Sequence, residues 1–227
     1  MKLSFKAEGL SGSRVVDVDI SSLVVAGWAG RDQHAIEHHI EELFAIGVPR
    51  PSSVPLYYRV AENQLTQASR IQVVGGESSG EVETFVFRAG GELYVSIASD
   101  HTDRKLETHS VALSKQVCAK PVAAQAWLYA DVAEYWDELV IRSYIQENGA
   151  RVLYQEGTLA SLRPPLELIS GFAGKAELPE GTGMICGTVG AIGGIRPAPS
   201  FTMELFDPRR GRTLSHSYDI EVLPEVA

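Results

Sequence analysis

Glu81-Val-Glu83-Thr-Phe-Val-Phe-Arg88-Ala-Gly-Gly-Glu92-Leu-Tyr-Val-Ser-Ile-Ala-Ser99-Asp100 is the stretch whose reading decides the fold. It holds two β-like runs around a Gly-Gly reversal, since paired glycines mark a turn. In a strand, residues i and i+2 point to one face. Glu81 and Glu83 therefore project together, with Val82 turned away. If the runs pair as a hairpin with residue 81 opposite residue 100, Asp100 joins them and three carboxylates converge. Such a group repels itself unless a cation sits between its members. All-oxygen ligands suit Mg²⁺, Mn²⁺ or Ca²⁺ rather than zinc. The plainer alternative is the solvent face of a strand, where alternating Glu is common.

Composition sets the outer bounds. The 227 residues suffice for one sizeable core. Hydrophobic residues make up 44% and charged residues 22%, which is ordinary globular usage. A net charge of −9 argues against nonspecific nucleic-acid binding, which needs a basic surface. Cys118 and Cys186 form no Cys-x-x-Cys or Cys/His spacing, so neither a disulfide framework nor zinc is expected. They suit a reducing compartment. No secretory signal is visible in Met-Lys-Leu-Ser-Phe-Lys. The apolar stretch over residues 23–29 is too short to span a bilayer. The expectation is a cytoplasmic protein with no membrane partner.

The first twenty residues read as a hairpin turning at residues 9–12. A helix follows within residues 31–47. Ile36, Ile40, Leu43 and Phe44 give it an apolar stripe, Asp32 is placed to cap it, and Gly47 and Pro49 stop it. Short strands are predicted over residues 56–60, 71–74, 81–87, 93–98, 139–146, 184–188, 201–206 and 213–222. Helical turns are expected over 130–136 and 164–170, and Asn148-Gly149 reads as a hairpin turn. The fold class is α+β, mostly β, in one domain over 1–227. Within it, 1–30 is an N-terminal hairpin region, 31–47 a helical lid and 48–227 a β core.

Five segments, in order, resemble the fumarylacetoacetate hydrolase superfamily. Glu81-Val-Glu83 matches its Glu-x-Glu strand. Ser99-Asp100-His-Thr102-Asp-Arg104-Lys-Leu106-Glu107 matches its Asn-Asp-x-Thr-x-Arg-Asp-Leu-Gln-like stretch, with Ser for Asn and Glu for Gln. Ser114-Lys115, then Cys118 and Pro121, resembles its lysine segment, about three residues shorter. Asn148-Gly149, Gln155 and Thr158 resemble its Asn-Gly…Gln…Thr segment. Cys186-Gly-Thr188-Val-Gly190-Ala-Ile-Gly193 resembles its glycine loop, with Val189 in place of proline. The Gly-Asp that usually follows is absent near Phe201.

The resemblance implies a mixed β-roll, usually homodimeric, with Mg²⁺ or Mn²⁺ on Glu81, Glu83 and Asp100 and Ca²⁺ as a further candidate. It implies a small 2-oxo or 1,3-dicarbonyl acid as substrate, chelated through its carboxylate and 2-oxo oxygen and reacting through a metal-bound enolate. Lys115 would serve the developing oxyanion, Gln155 and Thr188 the substrate oxygens, and Arg104 would brace a carboxylate. A His-x-x-Glu lid pair would carry a proton. His39 with Glu42 and His38 with Glu41 fit equally, because one residue of slip separates them. Glu and His at helical spacing also form ordinary solvated faces. Hydrolysis of a C–C bond is the leading reading, because such a pair could activate water. Decarboxylation, hydration or dehydration, and isomerisation use the same enolate. A non-catalytic metal- or ligand-binding member of the fold is the third reading, favoured by the missing Gly-Asp and the shortened lysine segment.

Overall fold

The computed structural model describes residues 1–10, 12–45 and 47–226, the side chains of His39 and Leu43 excepted. β1 (Lys2–Gly9) and β2 (Gly12–Asp19) form the expected N-terminal hairpin. β3 (Ser22–Gly27) is the apolar stretch over 23–29 used as a buried strand. Helix α1 (Gln33–Ala45) follows, with Asp32 accepting from the His34 and Ala35 backbone N–H groups as its cap. Then come β4 (Leu56–Val60), the two-residue β5 (Leu65–Thr66), β6 (Arg70–Val74) and the two-residue β7 (Ser78–Ser79).

β8 (Val82–Ala89) and β9 (Glu92–Ser99) are the hairpin read from residues 81–100. Val82 pairs with Ser99, and the Asp100 N–H donates to the Glu81 carbonyl at 2.9 Å, so residue 81 does stand opposite residue 100. Gly90 and Gly91 both have positive φ, at 59° and 81°, as a two-residue hairpin turn of the primed type demands.

After this hairpin come β10 (Thr102–Asp103), α2 (Arg104–Glu107), α3 (Val111–Gln116), β11 (Lys120–Pro121) and β12 (Gln125–Leu128). β13 (Val140–Glu147) and β14 (Ala150–Thr158) turn at Asn148-Gly149, and α4 (Pro165–Ala173) leads to β15 (Thr182–Ile185), β16 (Ser200–Asp207) and β17 (Arg212–Leu223). The helix expected over 130–136 is two 3₁₀ segments instead, Tyr129–Asp131 and Ala133–Glu138, separated at Val132, and the second is kinked at Tyr135. The strand expected over 184–188 ends at Ile185, where the glycine loop begins.

Two sheets result. The larger has the order β2-β1-β12-β9-β8-β15-β3-β4, and the smaller β14-β13-β16-β17-β6. The chain is α+β and mostly β. In the larger sheet β1 and β8 lie three places apart, which in a flat sheet means roughly 14 Å. Yet the Phe5 and Phe87 rings stack with centroids 4.2 Å apart. The sheet is therefore curled into a roll. Phe5, Phe85, Phe87 and Tyr94 fill its inside, while Val82, Val86, Val95 and Ile97 on the other face pack towards Ile141, Met203 and Leu205 of the smaller sheet.

Strand alternation then fixes the site. Glu81 and Glu83 continue the row of Phe85 and Phe87, and Asp100 continues the row of Tyr94 and Ala98. The inside of the roll thus passes from aromatic to acidic along one hairpin. β15 lies beside β8 in the sheet, and the Phe85 ring leans over it so closely that a Cβ at Gly183 would lie 2.5 Å from that ring. Phe87→Ala is expected to cost about 3–5 kcal/mol in urea denaturation, as large-to-small core changes do. Phe44→Ala should cost under about 0.5 kcal/mol, because Phe44, assigned above to the apolar stripe, is 57% exposed. Equal losses at both positions would refute the roll-core assignment.

Candidate metal centre

The acidic group forms as the hairpin register requires. Oxygens of Glu81, Glu83 and Asp100 lie within 4.8 Å of one another. Asp100 and Glu83 are buried and Glu81 is half-buried. Two short helices bring cations to them. The Asp103 side chain caps α2 by accepting from Leu106 N, and Ser110 Oγ caps α3 by accepting from Leu113 N. α3 then buries Lys115, whose Nζ donates to Asp100 Oδ2 and sits 5.6 Å from the Tyr58 ring centroid. Arg104 reaches across to Glu81 at 3.1 Å and Glu107 at 3.0 Å, and its Nε donates to Ser79 Oγ at 2.7 Å.

Lys120 is the residue that sequence reading missed. It is 0% exposed. Its Nζ donates to the carbonyls of His101 and Lys115, both at 2.5 Å, and of Cys118 at 3.1 Å. It also lies 3.4 Å from Asp100 Oδ1, which accepts no hydrogen bond. The sequence signal was a lysine inside the small, apolar run Cys118-Ala-Lys120-Pro-Val-Ala123.

The electrostatics divide the two buried acids. Burial pushes the Asp100 carboxyl up, but Lys115, Lys120 and Arg104 outweigh it and hold the group below its ordinary value. Burial, then the Asp100 and Glu81 charges, push Glu83 well above the ordinary range; Lys115 and the Gly187 N–H oppose this without reversing it. Burial lowers Lys115, yet the surrounding carboxylates, Asp100 foremost, raise it overall, so it stays an ammonium. Three carboxylates packed this tightly, with one oxygen unpartnered and all donors oxygen, fit a hard divalent cation such as Mg²⁺ or Mn²⁺.

The glycine loop forms the facing wall. The Gly187 N–H donates to Glu83 Oε2. Gly187 has φ 91° and stands so near Ala29 that a Cβ would approach that side chain to 2.7 Å. Thr188 Oγ1 donates to the Val82 carbonyl at 2.8 Å. Gln155 lies behind the loop. Its Oε1 accepts from Val82 N and Ser143 Oγ, and its Nε2 donates to Thr188 Oγ1 and the Val189 carbonyl.

A cavity of about 610 Å³ opens beside the carboxylates, with Glu81, Glu83, Asp100, Lys115, Tyr58 and Thr188 on its wall. Glu81, Glu83, Asp100, Lys115 and Thr188 are thus brought together. Arg104 stands behind Glu81, and Gln155 is used up in tying the loop to β8. On α1, Asp32, Ala35 and Ile36 reach the cavity. His38 and Glu42 face each other at 3.6 Å with both side chains exposed, and exposed Glu41 lies 3.7 Å from Arg50. The side chain of His39 lies outside the described residues. His101 points to the other face of its strand, as alternation requires, between Tyr218 OH at 3.1 Å and Ser78 Oγ at 3.0 Å. Burial and the nearby Lys120 and Arg104 lower its pKa to about 3, so it is neutral. Arg196 pairs with Glu147 at 2.9 Å. Among the described residues no helix is long and apolar enough to cross a membrane.

Solved structures of similar fold exist. Cg1458, in a complex with an inhibitor, aligns with a TM-score of 0.64 at 17% identity over 95% of this chain and 82% of its own. 2-Keto-3-deoxyarabinonate dehydratase in a hexagonal crystal form aligns with a TM-score of 0.65 at 15% identity, over 94% and 78%. The same dehydratase complexed with magnesium and 2,5-dioxopentanoate aligns with a TM-score of 0.64 at 15% identity, over 95% and 78%. At these identities the likeness is one of fold. No curated protein sequence matches the chain. A family model, described as "Protein of unknown function (DUF2848)", matches residues 26–218, and the chain belongs to that family.

Proposed function

We propose that this protein is a divalent-metal-dependent enzyme of the fumarylacetoacetate hydrolase type, acting on a small 2-oxo or 1,3-dicarbonyl acid, with hydrolysis of a C–C bond as its reaction. The convergence of Glu81, Glu83 and Asp100 on a cavity wall carries this reading. A bound Mg²⁺ or Mn²⁺ supplies Lewis-acid polarisation of the substrate's oxygens. The chain supplies the rest. Lys115, held as an ammonium, is a fixed hydrogen-bond donor to oxygen rather than a base. Thr188 positions the loop beside the substrate oxygens. Apolar walls keep bulk water from the reacting carbons. The proton carrier belongs to α1. His39 with Glu42-Leu43 reproduces the His-x-x-Glu-Leu order of the superfamily that the sequence resembles, whereas His38 with Glu41 requires a slip of one residue. His39 with Glu42 is the pair we favour. A homodimer is part of the same reading.

Dehydration of a 2-oxo acid is the second reading. A solved protein of this fold is a dehydratase. Product analysis separates the two: hydrolysis yields two fragments, dehydration one product with the carbon skeleton intact.

Thermal melts with Mg²⁺ or Mn²⁺, with and without oxalate, test the site. Metal should raise the midpoint, and oxalate should raise it further only when metal is present. Glu83→Gln should abolish both responses while leaving the metal-free midpoint unchanged or higher, since it removes a carboxylate repelled by two others. Identical responses in wild type and variant would end the metal assignment.

A proton on Glu83 competes with the metal, because a ligand carboxylate must be ionised. Its pKa is raised, so the protonated form persists to higher pH than in an ordinary Glu. The metal-induced rise in midpoint is therefore expected to keep growing as pH rises beyond the range in which an ordinary Glu has already ionised. A pH-independent response would contradict Glu83 as a ligand. Lys120→Met should cost about 3–5 kcal/mol in urea denaturation, since it strips a buried carboxylate of a counter-charge. A loss below about 1 kcal/mol would show that Asp100 does not depend on it.

A further inference from the structure

We infer that the substrate carries a single charged end, its carboxylate and oxo head, and that its distal portion is uncharged and apolar. This deepens the reading proposed above and rests on it for the head alone. The cavity joins two kinds of lining: the carboxylates with Lys115, and the apolar residues Trp28, Ile36, Val48, Val111, Ala191 and Ile195. Among the described residues Lys115 is the one cation on the wall, and it is committed to Asp100.

Arg31, Arg163 and Arg196 adjoin lining residues, and each is already engaged. Arg31 holds Asp137 through both guanidinium nitrogens, with Nε on the Leu162 carbonyl at 2.6 Å. Arg163 holds Glu167 and the Gly30 carbonyl. Arg196 holds Glu147 and the Ile192 and Gly194 carbonyls. The remaining charges on the wall, Asp32 and Glu107, are negative. Among the described residues a second substrate carboxylate would lose its water, find no free cation on the wall and meet two anions, which is costly. An apolar tail meets matching surface.

Trp28 strengthens the case. It is a bulky residue at φ 60°, a conformation that L side chains seldom adopt. Such strain is kept where the position of a side chain matters. Here it sets an indole on the cavity wall.

Calorimetric titration of the Mg²⁺-loaded full chain tests this with two ligand series. The first keeps the head and varies the tail: pyruvate, 2-oxobutyrate, 5-methyl-2-oxohexanoate and 2-oxoglutarate. The second carries similar tails as primary amides without the oxo-acid head. Affinity should rise about fourfold per added methylene. 5-Methyl-2-oxohexanoate should bind at least about tenfold tighter than 2-oxoglutarate, whose second carboxylate replaces its isopropyl group. Trp28→Gly, which suits the positive φ, should shrink the gain per methylene. Ile195→Lys, at a half-exposed position, should narrow the gap to 2-oxoglutarate. If pyruvate binds but longer tails add nothing, or 2-oxoglutarate binds as well as its apolar counterpart, the inference is overturned and the metal reading stands. If the amides bind with the same tail dependence and no oxo acid does, the tail inference stands and the reading of the head falls. If neither series binds, both fall.

Discussion

A carboxylate with no exposed surface is the constraint on which this structure turns. Asp100 can remain ionised inside the roll only because cations surround it. Those cations come from the next twenty residues of chain, and delivering them dictates how that segment folds. α2 starts so that Arg104 can span Glu81 and Glu107. α3 starts so that Lys115 arrives at Asp100 Oδ2. Lys120 ties the segment shut by gathering three backbone carbonyls around one ammonium. Lysine is rarely wholly buried, and here its three donors are all satisfied by main chain.

Much of the site was legible because it follows from strand geometry. Glu81, Glu83 and Asp100 needed only a period of two and a Gly-Gly turn to be placed on one face. The same alternation turns His101 away. The N-terminal hairpin, the Asp32 cap and the Asn148-Gly149 turn were equally local. What could not be read depends on contacts between segments distant in sequence. Nothing in residues 118–123 says that Lys120 faces Asp100 rather than solvent. Nothing local to Gln155 says that both ends of its amide are engaged by other strands. The curl of the larger sheet appears only when Phe5 meets Phe87, 82 positions further on. Phe44 shows the opposite failure, since a helical stripe that includes it places in the core a ring that is exposed.

The passage from aromatic to acidic along one row also explains why the chemistry is held so firmly. Glu83 follows Phe85 in the same inside row and inherits its surroundings, which is why burial heads the causes of its raised pKa. Beside the carboxylates the roll opens to a cavity whose wall also includes Trp28, Ile36, Val48 and Ile195.

Gln155 gives this cavity unequal walls. By joining Val82, Ser143, Thr188 and Val189 through one side chain, it welds β8, β13, β14 and the glycine loop into a corner. The opposite wall is α1, which buries Ile40 but leaves His38, Glu41, Glu42 and Phe44 in solvent. Regions with few buried contacts open at lower free energy than those locked by them. Among the described residues the loop side is thus tied by four hydrogen bonds of one side chain, and accommodation of differently shaped guests is expected to fall to the helix. Variation in guest shape should accordingly be recorded in residues of α1 and not in the residues that hold the corner.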